Sequence, residues 1–213
     1  MSGRFVVFEG GEGSGKSTAA ATIAKRLGAA GVDVVLTREP GGTVAGDRVR
    51  ELLHERLAPW AEAFAFLVAR AQLVDEVIRP ALARGATVVC DRYEASFIAY
   101  QGYARGLDLA QLWAANDAAT GGLAPNLTIY LDIEPETGLK RKLGEREAIR
   151  TGLEAVAFHR KVRDGYVKQM EAAVAGSWVR IDASLPADAV ANAAWEAIVV
   201  TGEAGATSDS QGG

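Results

Sequence analysis

Five short apolar runs punctuate the chain: Phe5–Phe8, Val32–Leu36, Thr87–Cys90, Leu127–Leu131 and Trp178–Ile181. Segments with helical spacing and few breakers lie between them. Strand-forming runs that alternate with helical segments predict an α/β fold. Apolar residues fall on consecutive positions within the runs, which suits parallel strands covered by helices on both faces. Ligands of such sheets gather at the carboxyl ends of the strands. Chemistry is therefore expected on Glu9–Thr18, Thr37–Thr43, Asp91–Gln101 and Asp132–Glu136, which are polar or glycine-rich.

Between Pro59 and Pro80 the pattern predicts one uninterrupted helix, with Phe64, Leu67, Ala71, Val74 and Ile78 along its buried face. Lys140–Arg150 is the densest run of charge and reads as a solvated helix. From Gly202 to Gly213 the chain is small, polar and glycine-rich, so this tail is expected to be disordered. The remainder, residues 1–201, is read as a single domain. With 213 residues, 49% of them hydrophobic, it can bury a substantial core.

Composition narrows the function classes. There are 23 lysines and arginines against 27 acidic residues, so no basic surface is available for nucleic acid. No run approaches the ~20 apolar residues that span a bilayer, and no cationic leader precedes an apolar stretch. A cytoplasmic protein with no membrane or nucleic-acid partner is expected. Cys90 is the only cysteine, which excludes an internal disulfide and a multi-cysteine zinc site. It lies in the run Val88-Val89-Cys90 and reads as a core thiol. His54 and His159 have no metal-ligand companion at helical spacing and read as surface or packing residues.

The first strand run leads into Gly10-Gly11-Glu12-Gly13-Ser14-Gly15-Lys16-Ser17, which fits G-x-x-x-x-G-K-[ST], and then into Thr18 and an alanine-rich helical segment. In that context the loop's backbone N–H groups and the helix N-terminus cradle phosphate oxygens. Lys16 would neutralise the β- and γ-phosphates of ATP, and Ser17 would offer a hydroxyl to Mg²⁺. A dinucleotide fingerprint needs G-x-G-x-x-G, and here the third glycine is misplaced. The guanine signature N-K-x-D is absent.

Beyond the loop, the chain resembles the bacterial thymidylate kinases of the P-loop nucleoside-monophosphate kinase group. The resemblance rests on Phe8-Glu9-Gly10, on Thr37-Arg38-Glu39-Pro40-Gly41-Gly42-Thr43, and on Phe66 with Arg70 four residues on. Asp91-Arg92-Tyr93, Ser96 and Ala99-Tyr100-Gln101-Gly102 complete it, with lesser support from Leu131-Asp132, Arg163-x-x-Tyr166 and Ile181-Asp182-Ala183. It implies a five-stranded P-loop NTPase fold with a mobile lid at about residues 140–152 and a homodimer packed through helices. The implied activity is phosphoryl transfer from MgATP to dTMP, giving dTDP and ADP on the way to dTTP for DNA synthesis.

The resemblance also implies residue roles. Lys16, Arg92 and Asp91 would be catalytic, with Asp91 and Ser17 orienting the magnesium shell. Arg38 would lie on the monophosphate side, and Glu12 near the acceptor sugar and its phosphate. Phe66 would stack on the base while Arg70 donates to a base carbonyl, since residues four apart share a helix face. Tyr100 would pack against the 2′ carbon and disfavour a ribose hydroxyl, with Ser96, Phe97, Gln101 and Tyr166 completing the pocket. An ionised acceptor phosphate is already a nucleophile, so no general base is required.

Two stretches depart from the family. After Ser96 it usually carries a small or amide residue facing the base, where this chain has Phe97. In the lid it usually reads Asp-Arg-hydrophobic-Glu, where Ile149-Arg150-Thr151-Gly152 keeps only the arginine. With Ser14 and no arginine in its phosphate loop, the chain resembles the subgroup whose lid supplies the transition-state cation, which implies that role for Arg150, assisted by Arg146 or Arg141. Two alternatives stay open at this point: a kinase for another deoxynucleoside monophosphate, and a catalytically idle nucleotide-binding protein.

Overall fold

The computed structural model describes the backbone of residues 3–143 and 145–208, and the side chains of residues 3–142 and 155–201. Five parallel strands form one sheet in the order β2-β3-β1-β4-β5: β1 Arg4–Gly10, β2 Val34–Arg38, β3 Thr87–Asp91, β4 Leu127–Asp132 and β5 Trp178–Asp182. All five predicted runs are strands. The second begins two residues later than its apolar run, because Gly31, at φ +83°, still belongs to the preceding turn and leaves Val32 exposed.

The central strand β1 shows why consecutive apolar residues mark this sheet. Phe5, Val6, Val7 and Phe8 are all fully buried. Val6 and Phe8 pack with Ile23 of α1 (Lys16–Ala29) and with Val190, Ala194 and Ile198 of α9 (Ala187–Ser208). Phe5 and Val7 pack on the other face with Leu73 of α3 (Pro59–Leu73) and Ala81 of α4 (Arg79–Ala83). Cys90 belongs to this second core, as expected, and burial raises its thiol pKa. In register, Phe8 lies beside Asp91 of β3 and Ile129 of β4, so the ends of all three strands deliver their loops to one edge.

The predicted helix from Pro59 runs on past Pro80 to Ala83, because a π-helical turn at Val74–Ile78 joins α3 to α4. A wide turn shifts the hydrogen-bond pattern just where the proline has no N–H to give. The expected buried face needs correction at one position: Phe64 is 55% exposed, as is Val68 at 56%. Ala63 and Leu67 pack in one cluster while Ala65 and Ala69 pack with Val49 of α2 (Val44–Leu52), which turns Phe64 and Val68 outward.

After β3, α5 (Glu94–Phe97) continues through a second π-helical turn, Ile98–Ala104, that carries Tyr100 and Gln101. Helix α6 spans Leu109–Thr120, and the expected lid, about residues 140–152, falls on the end of α7 (Pro135–Leu143) and the start of α8 (Glu145–Ala172). Helix α9 extends through Ser208, past Gly202 where the sequence reading starts its tail; residues 209–213 lie outside the described residues. Among the described residues no helix is long and apolar enough to cross a membrane.

Candidate active site

The strand ends enclose a cavity of about 560 Å³. Its floor is the phosphate loop: Glu12, Gly13, Gly15, Lys16, Ser17 and Thr18 line it, and α1 begins at Lys16. The loop is pressed against α7. A Cβ on Gly13, which has φ +69°, would lie 1.9 Å from the Gly138 carbonyl oxygen, and one on Gly138 would lie 2.1 Å from that of Glu12. Only glycine at both positions allows this approach. It brings Lys142, one helical turn beyond Gly138, over the loop, where its ammonium pairs with Glu12.

Lys16 is buried, and its ammonium donates to the Gly11 carbonyl at 2.7 Å. Burial and the neighbouring Arg92 lower its pKa to about 7, against the carboxylates of Asp91, Glu12 and Glu9. Glu12 moves the other way. Burial disfavours its charge, but Arg92, Lys142 and Lys16 together lower its pKa to about 2. Beside the loop, the Ser17 hydroxyl donates to Asp91 Oδ2, while the buried Asp91 Oδ1 has no partner among the described residues. A hydroxyl and a free carboxylate oxygen at a phosphate loop are hard oxygen donors of the kind Mg²⁺ takes, so this pair fits the ion.

Arg92 follows β3 directly. It is the one non-glycine with positive φ among the described residues, at +73°, a conformation unfavourable for a side chain. The bend turns its guanidinium over the loop, where Nη2 donates to Glu12 Oε1 at 2.8 Å and Nη1 to Ser96 Oγ at 3.2 Å. Its charge lies 5.3 Å from the centre of the Tyr100 ring. Burial opposes the charge of Arg92, but Tyr100, Tyr166, Glu12 and Glu9 outweigh it and raise the pKa.

The far end of the cavity holds Phe66, Arg70, Phe97, Tyr100 and Gln101. Arg70 is only 2% exposed; its Nε donates to Glu39 Oε2 at 2.9 Å and its Nη2 to the same oxygen at 2.5 Å. The Phe97 ring, 2% exposed, faces the Arg70 guanidinium at 5.3 Å. Gln101 donates to Glu62 Oε1 at 2.8 Å. Arg38, at the end of β2, and His54 stand on the wall nearest solvent.

The structure thus gathers most of the predicted site residues around one space. Gly10, Gly11 and Ser14 build the loop from behind without lining that cavity. Tyr166 corrects the expectation that it lines the pocket: it is fully buried behind Ser96, its hydroxyl 2.8 Å from Ser96 Oγ, because α8 inserts it beneath the β3–α5 turn. Arg146 and Arg150 lie outside the residues whose side chains are described. Arg141 donates to the carbonyls of Ala183 and Ser184, and the latter bond is 2.8 Å.

Four residues with defined places at the site carried no predicted role. Glu9 is fully buried and accepts from the backbone N–H of Tyr93 at 2.8 Å and of Ser96 at 3.2 Å, fixing the turn after Arg92. Its place in Phe8-Glu9-Gly10, a carboxylate ending an apolar run, was the available signal. Glu39 anchors Arg70. Arg50 of α2 lines the cavity and donates to the Pro40 carbonyl at 2.8 Å, though nothing in its spacing separates it from Arg48. Lys142 was hidden in a run of similar charges.

A phosphate loop at the end of a central parallel strand, with a second cationic end to the same cavity, defines a P-loop phosphotransferase. The thymidylate kinase family model matches residues 8–194. Among similar proteins, the thymidylate kinase of Thermomicrobium roseum is 46% identical over 197 residues, covering 91% of this chain and 93% of its own. That of Dehalococcoides mccartyi is 45% identical over 185 residues, covering 85% and 88%. The crystal structure of thymidylate kinase from Ehrlichia chaffeensis superposes with a TM-score of 0.76 at 29% identity, covering 93% of this chain and 99% of that one. The chain belongs to the thymidylate kinase family.

Proposed function

We propose that the protein transfers the γ-phosphoryl group of ATP to dTMP, giving dTDP and ADP, and that the cavity at the strand ends holds both substrates. The observation that carries this is the arrangement of cations around one space: Lys16 and Arg92 at the phosphate loop, with Arg38 and Arg50 also in its lining. Transfer between two anions needs positive groups that hold both and spread the charge of the transition state.

In this reading Lys16 and the loop amides hold the β- and γ-phosphates. Arg92 holds the acceptor phosphate and touches the transferred group, while Arg38 and Arg50 confine that phosphate from the β2 side. Ser17 and Asp91 would hold Mg²⁺, which when bound neutralises phosphate charge. Phe66 and Arg70 face the base, Tyr100 the sugar, and Ser96 and Gln101 line the same pocket. The lid, about residues 140–152, closes over the phosphates and brings Arg150, assisted by Arg146, to the transition state. Arg141, held by two carbonyls after β5, is less free to take that part.

The outward Phe64 and Val68 on α3 support a homodimer packed through helices, since paired apolar side chains at half exposure favour cover. A cytoplasmic location and a single domain over residues 1–201 belong to the same proposal.

ADP release, followed by a coupled assay with acceptor omitted and then with dTMP, dUMP, dCMP or dGMP, tests the reading. dTMP is expected to give the highest kcat/KM by a wide margin. A higher value for another acceptor would reassign the base, and no acceptor-dependent ADP release would leave only a nucleotide binder.

A further inference from the structure

Arg70 presents its charge to the base pocket from a fixed frame, and part of that frame lies outside the cavity. A guanidinium has five N–H donors. Nε and one Nη2 hydrogen go to Glu39, and one Nη1 hydrogen goes to Asn116 Oδ1 at 2.8 Å, which leaves, among the described residues, one free donor on each terminal nitrogen. The rings of Tyr93 and Phe97 lie 5.0 Å and 5.3 Å from its central carbon. Which way the free donors point therefore depends on Glu39 at one edge and Asn116 at the other.

Asn116 of α6 is fully buried, and an amide can sit in two orientations. Its Nδ2 donates to Glu94 Oε2 at 3.1 Å, so Glu94 selects the orientation that turns Oδ1 toward Arg70. Above about pH 7, where Glu94 is ionised, the flipped amide would set NH₂ against the guanidinium and C=O against a carboxylate, two mismatched contacts in a buried place. Glu94 does not line the reacting cavity; it lines a separate one of about 280 Å³ bounded by Tyr103, Trp113 and Trp178. Its influence on the base passes through Arg70, by the bond to Asn116 and by its own charge.

We propose that Asn116 and Glu94 are positioning residues for base selection, holding Arg70 so that its two free donors meet a carbonyl acceptor and reject an amino group. This rests on the reading that Arg70 faces the base. A thymine presents a carbonyl at the ring position where cytosine presents an amino group, so the frame favours dTMP over dCMP.

The test is the ratio of kcat/KM for dTMP to that for dCMP, with the KM for ATP and the unfolding midpoint measured beside it. Asn116→Leu is expected to lower the ratio about tenfold, through the KM for dTMP and with the KM for ATP unchanged. Glu94→Leu should lower it about threefold, whereas Glu94→Gln, which keeps an oxygen to accept from Asn116, should restore it to within about twofold of wild type. Arg70→Gln separates the two layers. If it collapses the ratio while Asn116→Leu and Glu94→Leu leave it intact, the positioning role is overturned and the base contact stands. If Arg70→Gln leaves the ratio intact, the base reading fails and the proposal falls with it. Should Asn116→Leu not fold, the Glu94 pair decides: equal ratios for Leu and Gln overturn the proposal.

Discussion

Glu12, inside the phosphate loop, accepts a 2.8 Å hydrogen bond from Arg92, eighty residues further along the chain and held in a left-handed backbone bend. A carboxylate beside a phosphate site repels the ligand unless cations surround it, and here Arg92, Lys142 and Lys16 do so. The pair joins the phosphate loop to the turn after β3. Replacing Arg92 by Met should lower kcat/KM for dTMP about 10²–10³-fold, the size seen when a charge-stabilising donor is removed. Arg92→Lys should recover little of that, because an ammonium cannot reach Glu12 and Ser96 as a planar fork does. Steady-state kinetics with both variants decides; a lysine variant close to wild type would show that charge alone suffices.

The contact between the loop and α7 gives a second expectation. Because a Cβ on Gly138 would sit 2.1 Å from the Glu12 carbonyl oxygen, Gly138→Ala must push α7 off the loop and carry Lys142 away from Glu12. The KM for ATP should rise and kcat should fall together, as for other changes at the hinge of a lid. If kcat and KM both hold, the loop and α7 move independently.

How much of this could be read from the chain depended on whether a residue's role was local. The phosphate loop is a backbone device, so strand, glycines, lysine and helix start appear in order from Gly10 to Ser17. The strands were legible because β1, β3 and β4 are buried at nearly every position and carry consecutive apolar residues through their middles. The partners that hold the site were not. Glu39 and Arg70 are 31 residues apart, and Asn116 lies 46 beyond Arg70. Arg70 was marked by its spacing from Phe66, but Glu39 and Asn116 look like any surface polar residue until the fold buries them beside it. Phe64 misled for the opposite reason, since helical spacing fixes a face but not what covers it.

Lys16 gives a prediction about protons. Without ligand its ammonium titrates near 7, held down by burial and by Arg92. Polyphosphate brought within contact favours the charged form and raises that value. At about pH 8 nucleotide binding should therefore take up close to one proton, and at about pH 6, where Lys16 is already charged, close to none. Calorimetry of ATP binding in two buffers of different ionisation enthalpy measures the uptake. A value of zero at the higher pH would mean that Lys16 is charged before the nucleotide arrives.

Glu94 makes the stability of the fold depend on pH. Burial, reinforced by Glu9 and Asp117, raises its carboxyl to about 7 against the opposing effects of Arg70 and the Asn116 hydrogen bond. In the unfolded chain the same group titrates at its ordinary 4.5. The folded protein then holds a proton that the unfolded chain releases, so stability falls as the pH climbs from 4.5 through about 7. Glu94→Gln removes this titration while keeping the bond to Asn116. Relative to wild type, the variant should gain up to about 3 kcal/mol between roughly pH 5 and pH 8, read from urea midpoints. Parallel stability curves for the two proteins would place the Glu94 carboxyl at an ordinary value and make it an ionised partner of Asn116 throughout that range.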